Sequence, residues 1–310
     1  MWAKRKGIDI LTTGDWTHPL WFREIRGQLE ETGEGVYKLK TKINTGDNYS
    51  SSEPATGGRV EKYQQNSSRP IRQAQGRQAR SIAREPLFIL TVEVSSIYNQ
   101  GGRLRRIHNL IFAPTIEIAE KINKELHRRG VNLMSDGRPI MGLPSKSLLE
   151  LVLSIDKRAL LVPCHAWTPW FSLYGSNSGF DSIEECFGDY SKYIYGIETG
   201  LSSDPAMNWK IAELANRSIL SFSDAHSPAK MGREATVFRS AKSEVRSQKY
   251  DIPSYSDIVS AIKQDPNGNL KIGYTIEFYP EEGKYHYTGH RNCKVVQSPQ
   301  ETAKNGTKCP

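Results

Sequence analysis

Ser218-Ile219-Leu220-Ser221-Phe222-Ser223-Asp224-Ala225-His226 carries two signals in one short stretch. Its first half is a brief apolar run of strand length. An aspartate and a histidine, two residues apart, follow where that strand runs out. The same arrangement recurs along the chain. Ala159-Leu160-Leu161-Val162 leads through Pro163-Cys164 to His165, Ile8-Asp9-Ile10-Leu11 leads through Thr12-Thr13-Gly14 to Asp15, and Phe88-Ile89-Leu90-Thr91-Val92 ends on Glu93. Ile107 with Leu110-Ile111-Phe112, and Tyr193 to Ile197, supply two further strands. Between these runs, Trp21 to Glu30, Thr115 to Arg128, Ser145 to Ser154, Ser182 to Phe187 and Pro205 to Asn216 have helical spacing, several opening on a Ser, Thr or Pro start signal. Strand and helix in alternation predict an α/β sheet or barrel. In such folds the residues just past the strand ends converge on one face, where active sites are built.

Asp15, Glu93, His165, Asp224 and His226 therefore fall at one structural position, and His108, inside Arg105-Arg106-Ile107-His108-Asn109-Leu110, makes a sixth. Imidazole and carboxylate together suit Zn²⁺, Mn²⁺ or Fe²⁺. A bridging carboxylate can hold two ions close enough to lower the pKa of water and clamp a phosphoryl oxygen. Phosphoester hydrolysis is the reaction this donor set predicts. His127, beside Arg128 and Arg129, reads instead as part of a solvated helix face, and His18 before Pro19 as a turn cap.

With 310 residues, 37% of them hydrophobic, the chain can bury a core, which excludes wholesale disorder and collagen-like structure. No window approaches the length of apolar sequence needed to span a bilayer, and the basic start at Met1 is followed by no signal-peptide core. The reading is a cytoplasmic protein with no membrane partner. Four cysteines are too few for a disulfide framework, and Cys164 and Cys186 read as core residues. The formal charge is +8, and residues 44–85 hold seven basic against four acidic side chains, +3 of that excess. Rich in Ser, Gln, Gly and Arg, this segment reads as a disordered insertion in a loop, with a basic arm that tracks phosphates as the alternative. After a helix over Ser254 to Gln264, Asn269 to Phe278 and Tyr285 to Thr288 are expected to form a hairpin. The organisation predicted is a catalytic unit over 1–265 and a small β module over 266–310.

The segments Thr13-Gly14-Asp15-Trp16-Thr17-His18-Pro19, Thr91-Val92-Glu93-Val94, Pro163-Cys164-His165-Ala166-Trp167-Thr168-Pro169-Trp170, Glu198-Thr199-Gly200-Leu201-Ser202-Ser203-Asp204-Pro205 and Ser223-Asp224-Ala225-His226-Ser227-Pro228 resemble those of the PHP-domain metallohydrolases. Within that superfamily they are most similar to the endonuclease Q family, which cuts DNA beside deaminated bases. The resemblance implies a distorted β/α barrel, seven-stranded in the family, with a divalent metal cluster of Zn, Mn or Mg. Carried across, Glu93 bridges two ions, His108 and His165 ligate the second, Asp224 the first, and Asp15 with His226 the third. Asp224, Glu93 and His226 become the catalytic residues, and DNA containing deaminated bases the partner.

The family's opening His-x-His strand would precede the helix ending at Trp2-Ala3-Lys4-Arg5-Lys6-Gly7, and the first strand is thus expected to be missing. His290-Arg291-Asn292-Cys293 and Cys309-Pro310 resemble an incomplete zinc knuckle, a structural zinc site formed by His290, Cys293 and Cys309. The chain is expected to be truncated at both ends, with impaired cleavage. Trp167 and Trp170 beside His165 read as walls of the mouth or as stacking platforms for an extruded base. Arg233 reads as a phosphate contact or a surface arginine. The endonuclease reading competes with a small-molecule phosphoesterase and a catalytically dead DNA-binding remnant. A helicase lacks its Gly-x-x-x-x-Gly-Lys-Ser/Thr cradle here.

Overall fold

The computed structural model describes residues 1–40, 85–241, 252–290 and 292–306. The expected disordered insertion over 44–85 lies outside the described residues apart from Glu85. Thirteen strands and eight α-helices are described. The strands are β1 (Ile10–Thr12), β2 (Leu29–Gly33), β3 (Val36–Leu39), β4 (Leu87–Gln100), β5 (Arg103–Ala113), β6 (Ile140–Met141), β7 (Leu160–Pro163), β8 (Gly196–Glu198), β9 (Ser218–Leu220), β10 (Ala235–Ser240), β11 (Leu270–Ile276), β12 (Thr288–His290) and β13 (Val295–Gln297). The helices are α1 (Trp2–Lys6), α2 (Pro19–Gln28), α3 (Ile116–Arg128), α4 (Ser145–Ile155), α5 (Ile183–Phe187), α6 (Pro205–Asn208), α7 (Tyr255–Ile262) and α8 (Pro299–Asn305).

The longest strand, β4, organises the rest. It pairs antiparallel with β5 in unbroken register from Leu90↔Ala113 to Gln100↔Arg103, across a two-residue turn at Gly101-Gly102. Both turn residues have positive φ, 60° and 71°, the conformation that matches the twist of tightly joined strands and that glycine adopts without steric cost. The sheet runs β2-β3-β4-β5-β7, with β1 and β6 each adding parallel to β4, seven strands in all.

Successive residues of β5 and β7 face opposite ways, and both faces are covered. Ile111 and Leu161 enter a core with Ile118, Ile122 and Leu126 of α3 and Leu148 and Val152 of α4. Phe112, Leu160 and Val162 enter another with Leu220 of β9 and Tyr255, Ile258 and Ile262 of α7. Burial on both sides explains the continuous apolar runs that the sequence shows in place of polar alternation. The architecture is mixed α/β. Thr115 caps α3 by accepting from the Ile118 N–H, and Ser254 with Asp257 forms a complete capping box on α7. Among the described residues no helix is long and apolar enough to cross a membrane.

Two local expectations are corrected. The helix expected over Pro205 to Asn216 closes at Asn208, because the Asn208 side chain turns back onto the Ser203 hydroxyl and the Asp204 carbonyl. The 269–278 stretch does not pair with 285–288. As β11 it pairs antiparallel with β10, which puts Leu270, Ile272 and Phe238 against the second core, a burial the short 285–288 run cannot offer. Thr288 instead lies in β12, which pairs with β13.

Tyr255 fastens α7 to the sheet. It is 1% exposed, and its hydroxyl lies 3.2 Å from the Phe112 carbonyl and 3.1 Å from that of Arg158. Tyr255→Phe removes the donor and should lower unfolding stability by about 1–2 kcal/mol. Tyr255→Ala adds a cavity and should cost about 3–5 kcal/mol, both read from urea midpoints.

Candidate metal centre

The β4–β5 register builds the first part of the site. Glu93 lies opposite Leu110 and His108 opposite Ser95, so the two are diagonal neighbours on one face of the hairpin. Glu93 was expected at a strand end. It stands mid-strand, because β4 continues to Gln100. His165 reaches the pair from the end of β7, whose Pro163 pairs with Asn109. The three donor atoms then converge: Glu93 Oε1 lies 2.5 Å from His108 Nδ1 and 3.5 Å from His165 Nε2, and the two imidazole nitrogens are 3.1 Å apart. His165 Nδ1 meets the Thr168 hydroxyl at 3.2 Å, which orients the ring from behind.

One carboxylate oxygen and two imidazole nitrogens this close can be linked by N–H donors to the carboxylate, and with those protons removed each offers a lone pair to a divalent ion. Among the described residues these three form a group able to hold a metal ion. The donor set suits a borderline cation such as Zn²⁺ or Mn²⁺.

Strand ends supply the second part, and they do so under backbone strain. Asp15, His165 and Asp224 have φ of 44°, 29° and 41°. Non-glycine residues avoid this region, and such outliers persist only where the surroundings over-determine them. Asp15 is gripped by its neighbours: Trp16 is wholly buried, its carbonyl accepts from Asn123, and the Asp15 carboxylate packs flat against Gly137. Gly200, at φ 61°, lies under His165 so closely that a Cβ there would sit 2.5 Å from the His165 Cβ. At Asp224 the restraint is Arg233, which donates to the carbonyls of Ser223 at 2.7 Å and Asp224 at 3.1 Å. His226 follows, largely exposed, with Nδ1 3.0 Å from the Asp224 carbonyl and 3.7 Å from its carboxylate.

Two residues at the centre were given no role from sequence, although Glu198 opens one of the segments that carry the resemblance. Arg138, just before β6, donates to Glu93 Oε1 at 3.3 Å. Glu198 ends β8 almost fully buried and accepts from the His165 N–H at 2.9 Å. Its strand-end position was the available signal, the one that selected His165.

Burial and charge tune these groups in different directions. Burial alone would raise the Glu93 carboxyl, but hydrogen bonds from His108 and His165 overcome it and hold Glu93 ionised, well below the usual range. Burial pushes His108 down despite the Glu93 contact. For His165 burial also pulls down, yet the Glu93 hydrogen bond and the charges of Glu93, Glu198 and Asp224 win and raise it. Burial lifts Glu198 to about 7, opposed by His165. Asp15 is raised by burial and by the charges of Asp136 and Glu93.

The remaining expected site residues are placed as follows. Trp167 stacks on Tyr174 at 4.8 Å between ring centres and donates to Asn208 at 2.8 Å, which fixes it in the wall. Trp170 is 45% exposed, with the Arg106 guanidinium 5.0 Å over its ring. Cys293 is exposed, whereas the side chain of His290 and all of Cys309 lie outside the described residues. Cys164 and Cys186 are buried.

No family model matches the chain. An uncharacterized Bacillus subtilis protein, YqxK, is 29% identical over 202 residues, 64% of this chain and 46% of that one. MJ0043, an uncharacterized Methanocaldococcus jannaschii protein, is 36% identical over 148 residues, covering 47% of this chain and 17% of that one. The chain thus spans less than half the length of these curated relatives. Two solved structures match over its whole length. The lesion-specific endonuclease PfuEndoQ from Pyrococcus furiosus has a TM-score of 0.69 at 26% identity, with 60% of that chain covered. Endonuclease Q in complex with a 27-mer duplex substrate bearing an abasic lesion at the active site gives 0.70 at 27% identity, with 61% covered. In fold and over its full length, this chain is similar to endonuclease Q.

Proposed function

We propose that this chain is a metal-dependent DNA endonuclease of the endonuclease Q type, hydrolysing a phosphodiester next to deaminated bases. The observation that carries the reading is the convergence of Glu93, His108 and His165 on one point, within a fold similar to that of a lesion-specific endonuclease. A divalent ion held there would supply positive charge to a phosphoryl oxygen and acidify water at neutral pH. Around it, Asp15, Asp224 and His226 are the proposed ligands of neighbouring ions, with a PHP-type barrel as their frame. A small module is proposed over 266–310, its β11 strand joined to the preceding unit through β10, with His290, Cys293 and Cys309 as its structural zinc site.

The chain's own residues prepare this chemistry. Glu93 is ionised by its two imidazole donors, so it needs no deprotonation to bind a cation. Glu198, its carboxyl lifted by burial, fixes the His165 backbone by accepting from its N–H. His226 stands exposed beside Asp224, at the solvent side of the site. Trp167 and Trp170 wall the mouth, and Arg233 serves by holding the strained Asp224 backbone.

Metal affinity should depend on pH in one direction. Because His165 is raised above its ordinary value, it carries a proton below neutrality that a cation must displace. Titrating Mn²⁺ calorimetrically should show affinity falling from pH 8 to pH 6, with roughly one proton released per ion at the acid end. Gly200→Ala, which drives a methyl group into His165, should weaken binding about tenfold or more at pH 7.5. Equal affinity across that pH range would remove His165 from the ligand set.

Cleavage tests the activity itself. With Mn²⁺ or Mg²⁺, duplexes containing hypoxanthine or uracil should be nicked beside the lesion. His165→Ala and Asp224→Ala should each reduce the rate by about 10²–10³, the loss expected when charge stabilisation of the transition state is removed. Hydrolysis of small phosphate esters with no nicking of DNA would favour the phosphoesterase, and DNA binding without hydrolysis of either would favour the inactive remnant.

A further inference from the structure

Arg105 and Arg106 are adjacent on β5, face opposite ways and meet different fates. Arg105 is buried, donates to the Gly179 carbonyl and pairs with Glu185 at 2.9 Å. Arg106, on the face of the strand that carries His108 two residues on, is half-buried, and among the described residues its guanidinium has no hydrogen-bond or ion-pair partner. The other half-buried arginines differ: Arg138 donates to Glu93, Arg217 to the Ser191 carbonyl, and Arg233 to two carbonyls. What holds Arg106 is aromatic. Its guanidinium lies 5.0 Å over the Trp170 ring and 5.6 Å from that of Phe171.

That aromatic pair is built onto the metal centre. The Phe171 ring packs 4.8 Å from the His108 ring, and its carbonyl accepts from the His108 N–H at 3.1 Å. Phe171 itself is strained, at φ 62°, which for a bulky residue needs strong local restraint. The restraint is visible. Phe171 N–H donates to the Ser178 hydroxyl, and the Ser178 carbonyl accepts from the Arg106 N–H at 3.2 Å, so the loop is zipped along β5. A cation kept unpaired, partly desolvated and oriented by a strained loop is placed to meet an anion from outside the chain. Two residues along a strand is about 7 Å, close to the spacing of successive phosphates on a nucleic-acid strand.

We propose that Arg106, held against Trp170 and Phe171, binds the backbone phosphate next to the one bound at the Glu93–His108–His165 centre, so that a nucleic-acid strand is held at two points. This rests on the endonuclease reading above. The planar guanidinium suits a bidentate phosphate contact, and the exposed Trp170 face leaves room for a sugar or base without selecting sequence.

Fluorescence anisotropy with a labelled duplex carrying an abasic site, in Ca²⁺ and across a salt series, tests it. R106Q should bind about tenfold more weakly, and its slope of log affinity against log salt should be shallower by about one, with Mn²⁺ affinity retained. R106K keeps the charge without the planar fork, and should restore the slope but only part of the affinity. Binding by R106Q equal to wild type in strength and slope would overturn the phosphate role and leave the endonuclease reading intact. No DNA binding by the wild-type chain would overturn both. If R106Q also lost Mn²⁺, R106K decides: a wild-type slope supports the contact, and the R106Q slope refutes it.

Discussion

The register of β4 on β5 is the constraint on which the candidate site depends. A slip of one residue would turn all of one strand's side chains to the opposite face, so Glu93 and His108 would point apart and two apolar cores would each receive polar residues. The tight turn at Gly101-Gly102 fixes that register at one end, and the pairing of β5 with β7 fixes it at the other. Because Ile111 and Phe112 feed separate cores, the hydrophobic effect enforces the same alignment from both sides of the sheet. The cost of misregister is therefore paid in buried area long before it reaches the chemistry.

Strain is concentrated where that scaffold ends. Asp15, His165, Phe171 and Asp224 all stand in the left-handed region, and each sits just beyond a strand or on the loop lining the same centre. Such conformations cost of order 1–3 kcal/mol apiece. Different contacts offset them: buried Trp16 beside Asp15, Gly200 beneath His165, the Ser178 hydroxyl behind Phe171, and Arg233 clasping two carbonyls at Asp224. This division of labour explains why Arg233, which by type suits a phosphate, is occupied by backbone, whereas Arg106 is not.

Much of this was legible in the sequence, for identifiable reasons. Strands buried on both faces announce themselves as apolar runs, which is why β5, β7 and β9 could be read directly. The second half of β4 was missed because Glu93-Val94-Ser95-Ser96-Ile97-Tyr98 mixes polar and apolar residues, although the Gly101-Gly102 pair that follows is a hairpin signal. Likewise β10 and β11 pair across a long sequence separation, and a nearer partner for 269–278 looked adequate until burial was known. The roles of Arg138 and Glu198 escaped for another reason. An arginine in a loop and a glutamate after a short strand are ordinary in sequence, and only the fold reveals that one meets Glu93 and the other His165.

Electrostatics give the arrangement its direction. Glu93, Glu198, Asp15 and Asp224 are drawn into one mouth, with Glu234 and Glu277 behind them. Burial lifts Glu234 to about 8, and the charges of Glu277 and Glu198 add to that lift. Mutual repulsion among buried carboxylates is relieved by protonation, by cations or by both. Within the chain the relief is partial: Arg138 and the imidazoles of His108 and His165 serve Glu93, and protonation serves Glu198 and Glu234. A cation held by the Glu93–His108–His165 group would add to that relief. On the proposed endonuclease reading, such a cation would also weaken the repulsion these carboxylates exert on a polyanion, and Arg106 stands on the same face of β5 as His108.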